Sequence, residues 1–425
     1  VAGALPSLPG LRIEEFYKMR RVWCEKRALC IVILTVLGMC LPAVQGQASY
    51  LVVGAAGPED GSMEGNVVAL PLNPVSALFH NPAQLTLLPE SATMGAQAIP
   101  FRPRYANSQG YDNTSRELPL APSFGYVTDR WAPFHVGIGS YGSLGFAYNF
   151  DADPARGVPN NFFTELAVIS LAPAVAYSLA PNLHIGFALN PSYGRLRLKT
   201  PSPIGRLDLD VRGFGIFSTV GVLYTPTPKL NLGISYKTPG IILMRGNARV
   251  GGRGDDAKVD FYTPSVLEFG AAYRLTPRLT LTSQGWWTEY SAFEDTNFQF
   301  DRATALNGPA VGDARDRLRV GAGIQYALFS NVTLHGGFSW ERWAIKAGSV
   351  SPALPDWTNY FFAAGVSIDY RQWTFHLLGG YAYIESRNIS ADRNPFFAGR
   401  YRLDELPTLM GIQVTRRLGK VPSSE

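Results

Sequence analysis

In the stretch LYTPTPKLNLGISYK, residues 223–237, a tyrosine ends one alternating run of residues, a short turn follows, and a second alternating run begins. The same order of features recurs every 44–53 residues along the chain. The tyrosines that mark the copies are Tyr126 (in a looser copy, GYVTDRWAPFHVGIG), Tyr177, Tyr224, Tyr273, Tyr326 and Tyr370. Repeated hairpins with short turns at one end and long connections at the other indicate a transmembrane β-barrel.

The alternation in this stretch separates two faces of one strand. Apolar side chains point one way and polar or glycine positions point the other, since successive residues of a strand face opposite sides. The first set is Leu230, Leu232, Ile234 and Tyr236, and the second is Asn231, Gly233, Ser235 and Lys237. A soluble β-sandwich would show the same pattern with its apolar face turned inward. Aromatic residues at both ends of the apolar face favour lipid on the outside.

Counting the turns gives the size of the barrel. Six short turns join twelve strands, one strand near residues 92–101 precedes them, and one near 406–418 closes the sheet. The sequence therefore predicts an all-β fold, a fourteen-stranded antiparallel transmembrane β-barrel over residues 91–418, with both chain ends on the periplasmic side. The predicted external loops are 104–117, 147–162, 199–207, 247–257, 291–313, 345–356 and 387–401.

The remaining residues fall into three segments. Residues 1–46 contain a positively charged start from Met19 and an apolar run over 28–41, which is typical of a secretory signal peptide. A transmembrane anchor or a lipoprotein signal are the alternatives, but Pro42 ends the apolar run early. Residues 47–90 are predicted to form an N-terminal hatch, or plug, inside the lumen, and 419–425 a polar tail. All three cysteines, Cys24, Cys30 and Cys40, lie in the first segment.

Composition excludes several functional classes. Beyond residue 46 the chain has no cysteine and a net charge of +2, so it offers neither a thiolate metal site nor the basic stripe of a nucleic-acid-binding protein. It contains no G-x-S-x-G, P-loop, CxxC or HExxH pattern. We therefore expect no enzymatic activity, no nucleic-acid partner and no cofactor.

An ordered set of segments resembles the FadL/TodX family of outer-membrane transporters for hydrophobic compounds. The strongest is NVVALPLNPVSALFHNPAQLTLLPES from residue 66, in which Asn81-Pro82-Ala83, beside His80, is similar to the family's plug motif. LAPSFGYVTDRWAPFHVGIGSYGSLGFAYNFD, ISLAPAVAYSLAPNLHIGFALN and TPSVLEFGAAYRLTPRLTL follow in the family's order. The resemblance implies a hatch-plugged barrel of fourteen strands and passive passage of long-chain fatty acids or hydrocarbons with lateral exit into the membrane. It also implies an inward kink, or lateral gate, in the third strand at Gly139, Ser140, Tyr141, Gly142 and Ser143.

Four cationic side chains are candidates for a ligand head-group site. Tyr326 belongs to the apolar, outward face of its strand. Counting back from it in alternation places Arg315, Arg317 and Arg319 on the lumen side. Lys237 faces inward from another strand at a similar height. A guanidinium can hold a carboxylate with two parallel hydrogen bonds. The alternative is a set of lumen ion pairs with Glu341 or Glu268.

Four of the five histidines follow a turn and face the lumen by parity: His135, His184, His335 and His376. They come from four different strands, so we interpret them as a polar belt that contacts the hatch and expect no metal site. His80 is expected to form hydrogen bonds within the hatch.

The main functional hypothesis is outer-membrane transport of a hydrophobic small molecule, with outer-membrane lipid and lipopolysaccharide around the barrel. The alternative is a protein-interaction barrel that serves a secretion or export machine and has a protein partner. A barrel lipase would need a serine–histidine pair on the outer wall, whereas parity places most histidines inside.

Overall fold

The computed structural model describes residues 50–52, 54–310, 312–403 and 409–418. The predicted signal peptide with its three cysteines and the predicted tail 419–425 lie outside the described residues. Neither α-helix in the described part of the chain is long and apolar enough to cross a membrane.

Strands dominate the described chain. They are β1 Tyr50–Val52, β2 Ser91–Ala98, β3 Pro103–Ala106, β4 Asp112–Thr114, β5 Leu120–Trp131, β6 Phe134–Phe150, β7 Phe162–Leu171, β8 Ala174–Ala180, β9 Leu183–Ser202, β10 Gly205–Thr227, β11 Leu230–Lys237, β12 Gly240–Val250, β13 Arg253–Thr263, β14 Val266–Thr276, β15 Leu279–Thr288, β16 Asn297–Phe300, β17 Gly308–Pro309, β18 Arg317–Phe329, β19 Val332–Glu341, β20 Asn359–Tyr370, β21 Trp373–Ile384, β22 Arg387–Ile389, β23 Gly399–Leu403 and β24 Leu409–Arg417. The α-helices are α1 Pro58–Gly61 and α2 Pro74–His80, and the 3-10 helices are Pro82–Leu87, Pro154–Arg156, Tyr290–Asp295, Thr304–Leu306 and Ala347–Ser349.

The strands close into a barrel whose wall has fourteen antiparallel positions, as predicted. In order the positions are β2, β5, β6, β7 with β8, β9, β10, β11 with β12, β13 with β14, β15, β18, β19, β20, β21 and β24, which pairs back to β2. Three positions consist of two strands because Pro173, Pro239 and Pro264 interrupt them. Proline cannot donate to a ladder, so a strand that contains one is broken or bulged there.

The wall shows the face assignment that the alternation predicted. Along β11, Leu232, Ile234 and Tyr236 are exposed, whereas Ser235 and Lys237 are buried on the inner face. Except where β5 and β6 separate beyond Ser140, pairing of neighbouring strands removes open sheet edges, which a lipid environment would penalise.

Two predicted external loops were wrong. Residues 199–207 and 247–257 are not long loops: β9 and β10 continue to a tight turn after Ser202, and β12 and β13 continue to a turn at Gly251 and Gly252. Both glycines have positive φ, +56° and +86°, which such a turn requires. Charged residues in these extensions pair across strands, as in Arg195 with Asp210 at 2.6 Å.

The end of the barrel with the six short turns is called the turn end, and the opposite end the loop end. At the loop end, β3, β4, β22 and β23 form a separate four-stranded sheet. Beneath it lies a large apolar cluster, called here the loop-end cluster: Phe101, Tyr105, Tyr111, Leu144, Phe146, Tyr148, Phe150, Leu196, Leu209, Ile242, Met244, Tyr290, Phe293, Trp357, Phe361, Ile384 and Tyr401 with their buried neighbours.

The residues before β2, 54–90, are called the N-terminal segment. Asn73 caps α2 by accepting from the Ser76 amide, and Pro74 occupies the first turn, where its missing N–H costs nothing. The segment contacts wall strands that lie far apart around the barrel: Asn66 donates to the Ala322 and Phe338 carbonyls, and Gln413 donates to Glu59. It therefore packs against the face of the wall opposite the exposed leucines.

Candidate functional site

The third wall strand, β6, is irregular where a kink was predicted. Its register against β7 shifts between Gly142 and Leu144, so Ser143 is an extra residue in the ladder. On the other side, β5 pairs with β6 only as far as Ser140. A bulge bends a strand and ends local pairing. The wall is thus split between β5 and β6 from Tyr141 toward the loop end.

The exposed edge of β6 has a partner from the start of the described chain. β1 pairs with it antiparallel, with Tyr50 opposite Gly145 and Val52 opposite Leu144. The first described residues therefore lie at the split in the wall.

A small apolar cavity adjoins the split. It is lined by Phe79, Tyr141, Ser143, Leu144, Phe217, Lys237, Thr263, Pro264 and Val266, and its volume is about 30 Å³. The Phe79 and Tyr141 rings meet edge to face at 5.1 Å, and the Tyr141 hydroxyl donates to Asn190 at 2.9 Å. This volume is about that of one water molecule. The cavity is therefore closed to any hydrocarbon in this conformation.

Lys237 gives the cavity its charged end. Its ammonium lies 4.3 Å from the centre of the Phe79 ring and forms an ion pair with Glu268. Glu268 also interacts with His80 Nδ1 at 2.8 Å and accepts from Gln284 at 2.9 Å. An ammonium on an aromatic face with a carboxylate partner is electrostatically satisfied despite its burial.

His80 connects this charged group to the N-terminal segment. Its second ring nitrogen, Nε2, lies 3.2 Å from the Asp60 carboxylate. Burial disfavours the imidazolium, but the two carboxylates, Glu268 and Asp60, outweigh it and raise the pKa of His80 above its usual value. His80 is thus a hydrogen-bonding residue of the segment, as expected, and it also reaches the wall.

The predicted head-group arginines have other partners. Arg317 pairs with Glu341 and Asp356, and Arg319 pairs with Glu64 of the N-terminal segment at 3.0 Å. Arg315 does not face the lumen from a strand, since β18 begins at Arg317; it stacks on Trp343 and donates to its carbonyl oxygen. The structure thus corresponds to the alternative, lumen ion pairs with Glu341 and Glu268, and a head-group role stays a prediction.

Asn81, Pro82 and Ala83 fasten the N-terminal segment to the wall. The Asn81 side chain donates to the carbonyls of Val68 and Val222 and accepts from the Ala83 amide at 3.1 Å. A Cβ on Gly221 of β10 would lie 2.0 Å from Asn81 Oδ1, so the wall must carry glycine there. The motif therefore holds the N-terminal segment against β10.

Two of the four lumen-facing histidines lie close together, although all four come from different strands. His335 and His376 lie on β19 and β21 with ring centroids 5.1 Å apart, and Ser367 lies between them. Glu59 of α1 joins them. Burial raises the pKa of Glu59 to about 7, and the Asp60 charge adds to this while Asn73 and Gln413 oppose it. Sequence reasoning missed this group because Glu59 lies some 280 residues before His335.

The loop-end cluster was also missed. Tyr105 and Tyr111 lie in a predicted loop and Phe101 at the end of a predicted strand, but a loop in water seldom carries so many aromatic side chains. Phe101 stacks on Trp357 at 5.9 Å, and Tyr105 packs on Tyr401 at 4.9 Å. The aromatic content of the loops was the available signal.

The family model described as outer membrane protein transport protein (OMPP1/FadL/TodX) matches residues 56–404. No protein with a curated description matches the sequence. Among solved structures, a Pseudomonas aeruginosa FadL homologue is 15% identical, with a TM-score of 0.74 over 87% of this chain and 100% of that one. The Ralstonia pickettii toluene transporter TbuX is 17% identical, with a TM-score of 0.68 over 86% and 99%. The P. putida toluene transporter TodX is 17% identical, with a TM-score of 0.68 over 87% and 100%. At these identities the structures show a shared fold.

Proposed function

Because the chain belongs to the OMPP1/FadL/TodX family of outer-membrane transporters of hydrophobic compounds, we propose that it takes up hydrophobic small molecules passively and releases them sideways into the outer membrane. The observation that carries the proposal is the position of the cavity. The apolar space around Phe79 and Tyr141 lies directly against the split between β5 and β6. A ligand there would reach lipid without crossing the polar turn end.

The route begins at the loop end. Its aromatic cluster offers an apolar surface between the external loops and the cavity, and apolar ligands partition onto such surfaces. The cavity itself must enlarge, since about 30 Å³ holds no fatty acid or aromatic hydrocarbon. Movement of α2, which carries Phe79, would enlarge it.

Two substrate classes fit this route. An uncharged hydrocarbon needs only the apolar lining. A fatty acid would need its carboxylate to replace Glu268 at Lys237, at the cost of leaving Glu268 with His80 and Gln284. Transport requires no bond to be made or broken, so the proposal includes no enzymatic activity.

The N-terminal segment is proposed as the plug. It fills the turn-end half of a lumen that would otherwise leak solutes, since a barrel of this size leaves an aqueous channel when empty. Residues 1–46 are proposed as a leader that directs export, and lipid and lipopolysaccharide as the surroundings of the exposed leucines.

Deletion of Ser143 tests the lateral exit. Removing the extra residue should restore a regular ladder between β6 and β7 and straighten the strand. We expect uptake of labelled fatty acid and of labelled toluene, given in separate arms, to fall to the level of cells that lack the protein. Ser143→Ala is the matched control, because it keeps the backbone bulge and loses only the hydroxyl contacts to Val168 and Ser170.

Folding is checked by heat-dependent migration on gels. Normal uptake by a folded deletion variant would exclude the lateral exit. Normal uptake by cells that lack the protein would instead support the protein-interaction barrel, if the parent protein also co-purifies with secretion components.

A further inference from the structure

Three side chains that commonly bind metals meet where the N-terminal segment contacts the wall. They are Glu59 of α1, His335 of β19 and His376 of β21, and one ligand atom from each lies within 4.8 Å of the others. Their exposed fractions are 8%, 4% and 2%. We propose that this cluster binds Zn²⁺ and thereby joins the N-terminal segment to the barrel wall.

Ser367 prepares both imidazoles for a metal. Its hydroxyl lies 2.9 Å from His335 Nε2 and 2.8 Å from His376 Nδ1. Of the other nitrogens, His335 Nδ1 is buried and has no hydrogen-bond partner among the described residues, and His376 Nε2 is buried in a ring that lies beside the Pro58 backbone. When the serine oxygen accepts from both rings, both remaining nitrogens carry lone pairs. In metal sites, a hydrogen bond donated by the ring nitrogen that does not bind the metal orients the histidine in this way.

The carboxylate is held in a fixed orientation as well. The Asn73 and Gln413 amides donate to Glu59 Oε2 at 2.8 and 3.0 Å. Within the described chain, no lysine or arginine forms an ion pair with Glu59. A buried carboxylate without a counter-charge is unfavourable. A divalent cation would supply that charge.

The set of donor atoms favours zinc. Two imidazole nitrogens and one carboxylate oxygen suit Zn²⁺, whereas Mg²⁺ and Ca²⁺ prefer oxygen alone. Zinc bonds of about 2.0–2.2 Å place tetrahedral ligands roughly 3.3 Å apart, so side-chain rotations of about 1 Å close the site on the ion.

An entry path and a fourth ligand are available at the turn end. Glu59, His335 and Ser367 line a cavity of about 410 Å³ together with residues that include Asp369 and Arg417. Water from this cavity would complete the coordination. The site does not depend on the transport proposal, because Glu59, His335 and His376 do not line the cavity that the transport route uses.

The test uses the full chain purified in detergent, stripped with a chelator and titrated with Zn²⁺, with the metal content measured by mass spectrometry after dialysis. We expect one tightly bound Zn²⁺ per chain. His335→Ala combined with His376→Ala should lose it. His135→Ala combined with His184→Ala is the matched control and should retain it, since these two histidines also face inward but belong to no ligating cluster among the described residues.

Two further variants separate a lost ligand from a lost fold. Ser367→Ala keeps all three ligands and should weaken zinc affinity by about 10–100-fold, as loss of an outer hydrogen bond does. Glu59→Gln should abolish the visible absorption of tetrahedral Co²⁺ bound to the parent protein while leaving gel migration unchanged. Equal zinc binding by the parent and the His335/His376 variant, or no binding by the parent, would overturn the proposal.

Discussion

The interface of the N-terminal segment with the wall and the loop-end cluster fill the same barrel by different means. The first contains charged and amide groups in defined pairs, such as His80 with Glu268, Arg319 with Glu64 and Asn81 with Val222. The second contains almost entirely aromatic and aliphatic side chains. Directional bonds hold one position, whereas apolar packing tolerates rearrangement. The N-terminal segment is therefore held in one arrangement, whereas the loop-end cluster can repack.

Glu268→Gln gives the largest expected effect. It leaves the buried Lys237 ammonium and His80 without the carboxylate that both contact, and breaking a buried pair costs about 3–5 kcal/mol. The free energy of unfolding measured with urea should fall accordingly. Glu385→Gln is the control, because Glu385 is exposed and its loss should cost less than about 0.5 kcal/mol. Equal stability of the two variants would show that the charged interface does not hold the segment.

Ile242→Val tests the apolar half with a smaller change. Ile242 is 1% exposed inside the loop-end cluster, and loss of one buried methylene costs about 0.5–1.5 kcal/mol. Its neighbour Ile241 is 41% exposed on the outer face, so Ile241→Val should change unfolding very little. A cost for Ile242→Val as large as that of Glu268→Gln would remove the contrast between the two regions.

The smallest effect is expected from pH, because the hydrogen-bonding contacts of His80 persist when its ring loses a proton. The pKa of His80 in the folded protein lies above the usual value of 6.5. Its stabilising charge is therefore fully present below pH 6.5 and is lost as the pH rises through that higher pKa. Hydrogen exchange of residues 58–80 should quicken over that range beyond its ordinary base catalysis. His80→Gln should show a smaller increase, and the part that remains beyond base catalysis comes from Glu59, whose pKa burial raises to about 7.

The sequence was sufficient to predict the strands of the wall, but not the contacts among the residues that the wall encloses. Alternation with period two identifies strands and faces locally, which is why the fourteen positions and the outward side of Leu232 and Ile234 were predictable. Contacts such as Glu59 with His376 join residues far apart in the chain, and one sequence gives no sign of them. Arg315 lies outside β18, so strand parity does not apply to it, and β9 and β12 continue as strands where external loops were predicted.

The pairing of β1 with β6 has a consequence for the membrane. In hydrocarbon, each backbone group without a hydrogen bond costs several kcal/mol. The chain's own first described residues occupy part of the edge that the bulge exposes, near Leu144 and Gly145. Under the proposed lateral exit, a molecule that leaves through this seam would compete with these backbone hydrogen bonds, and its rate of release would depend on how readily the three residues of β1 detach and return.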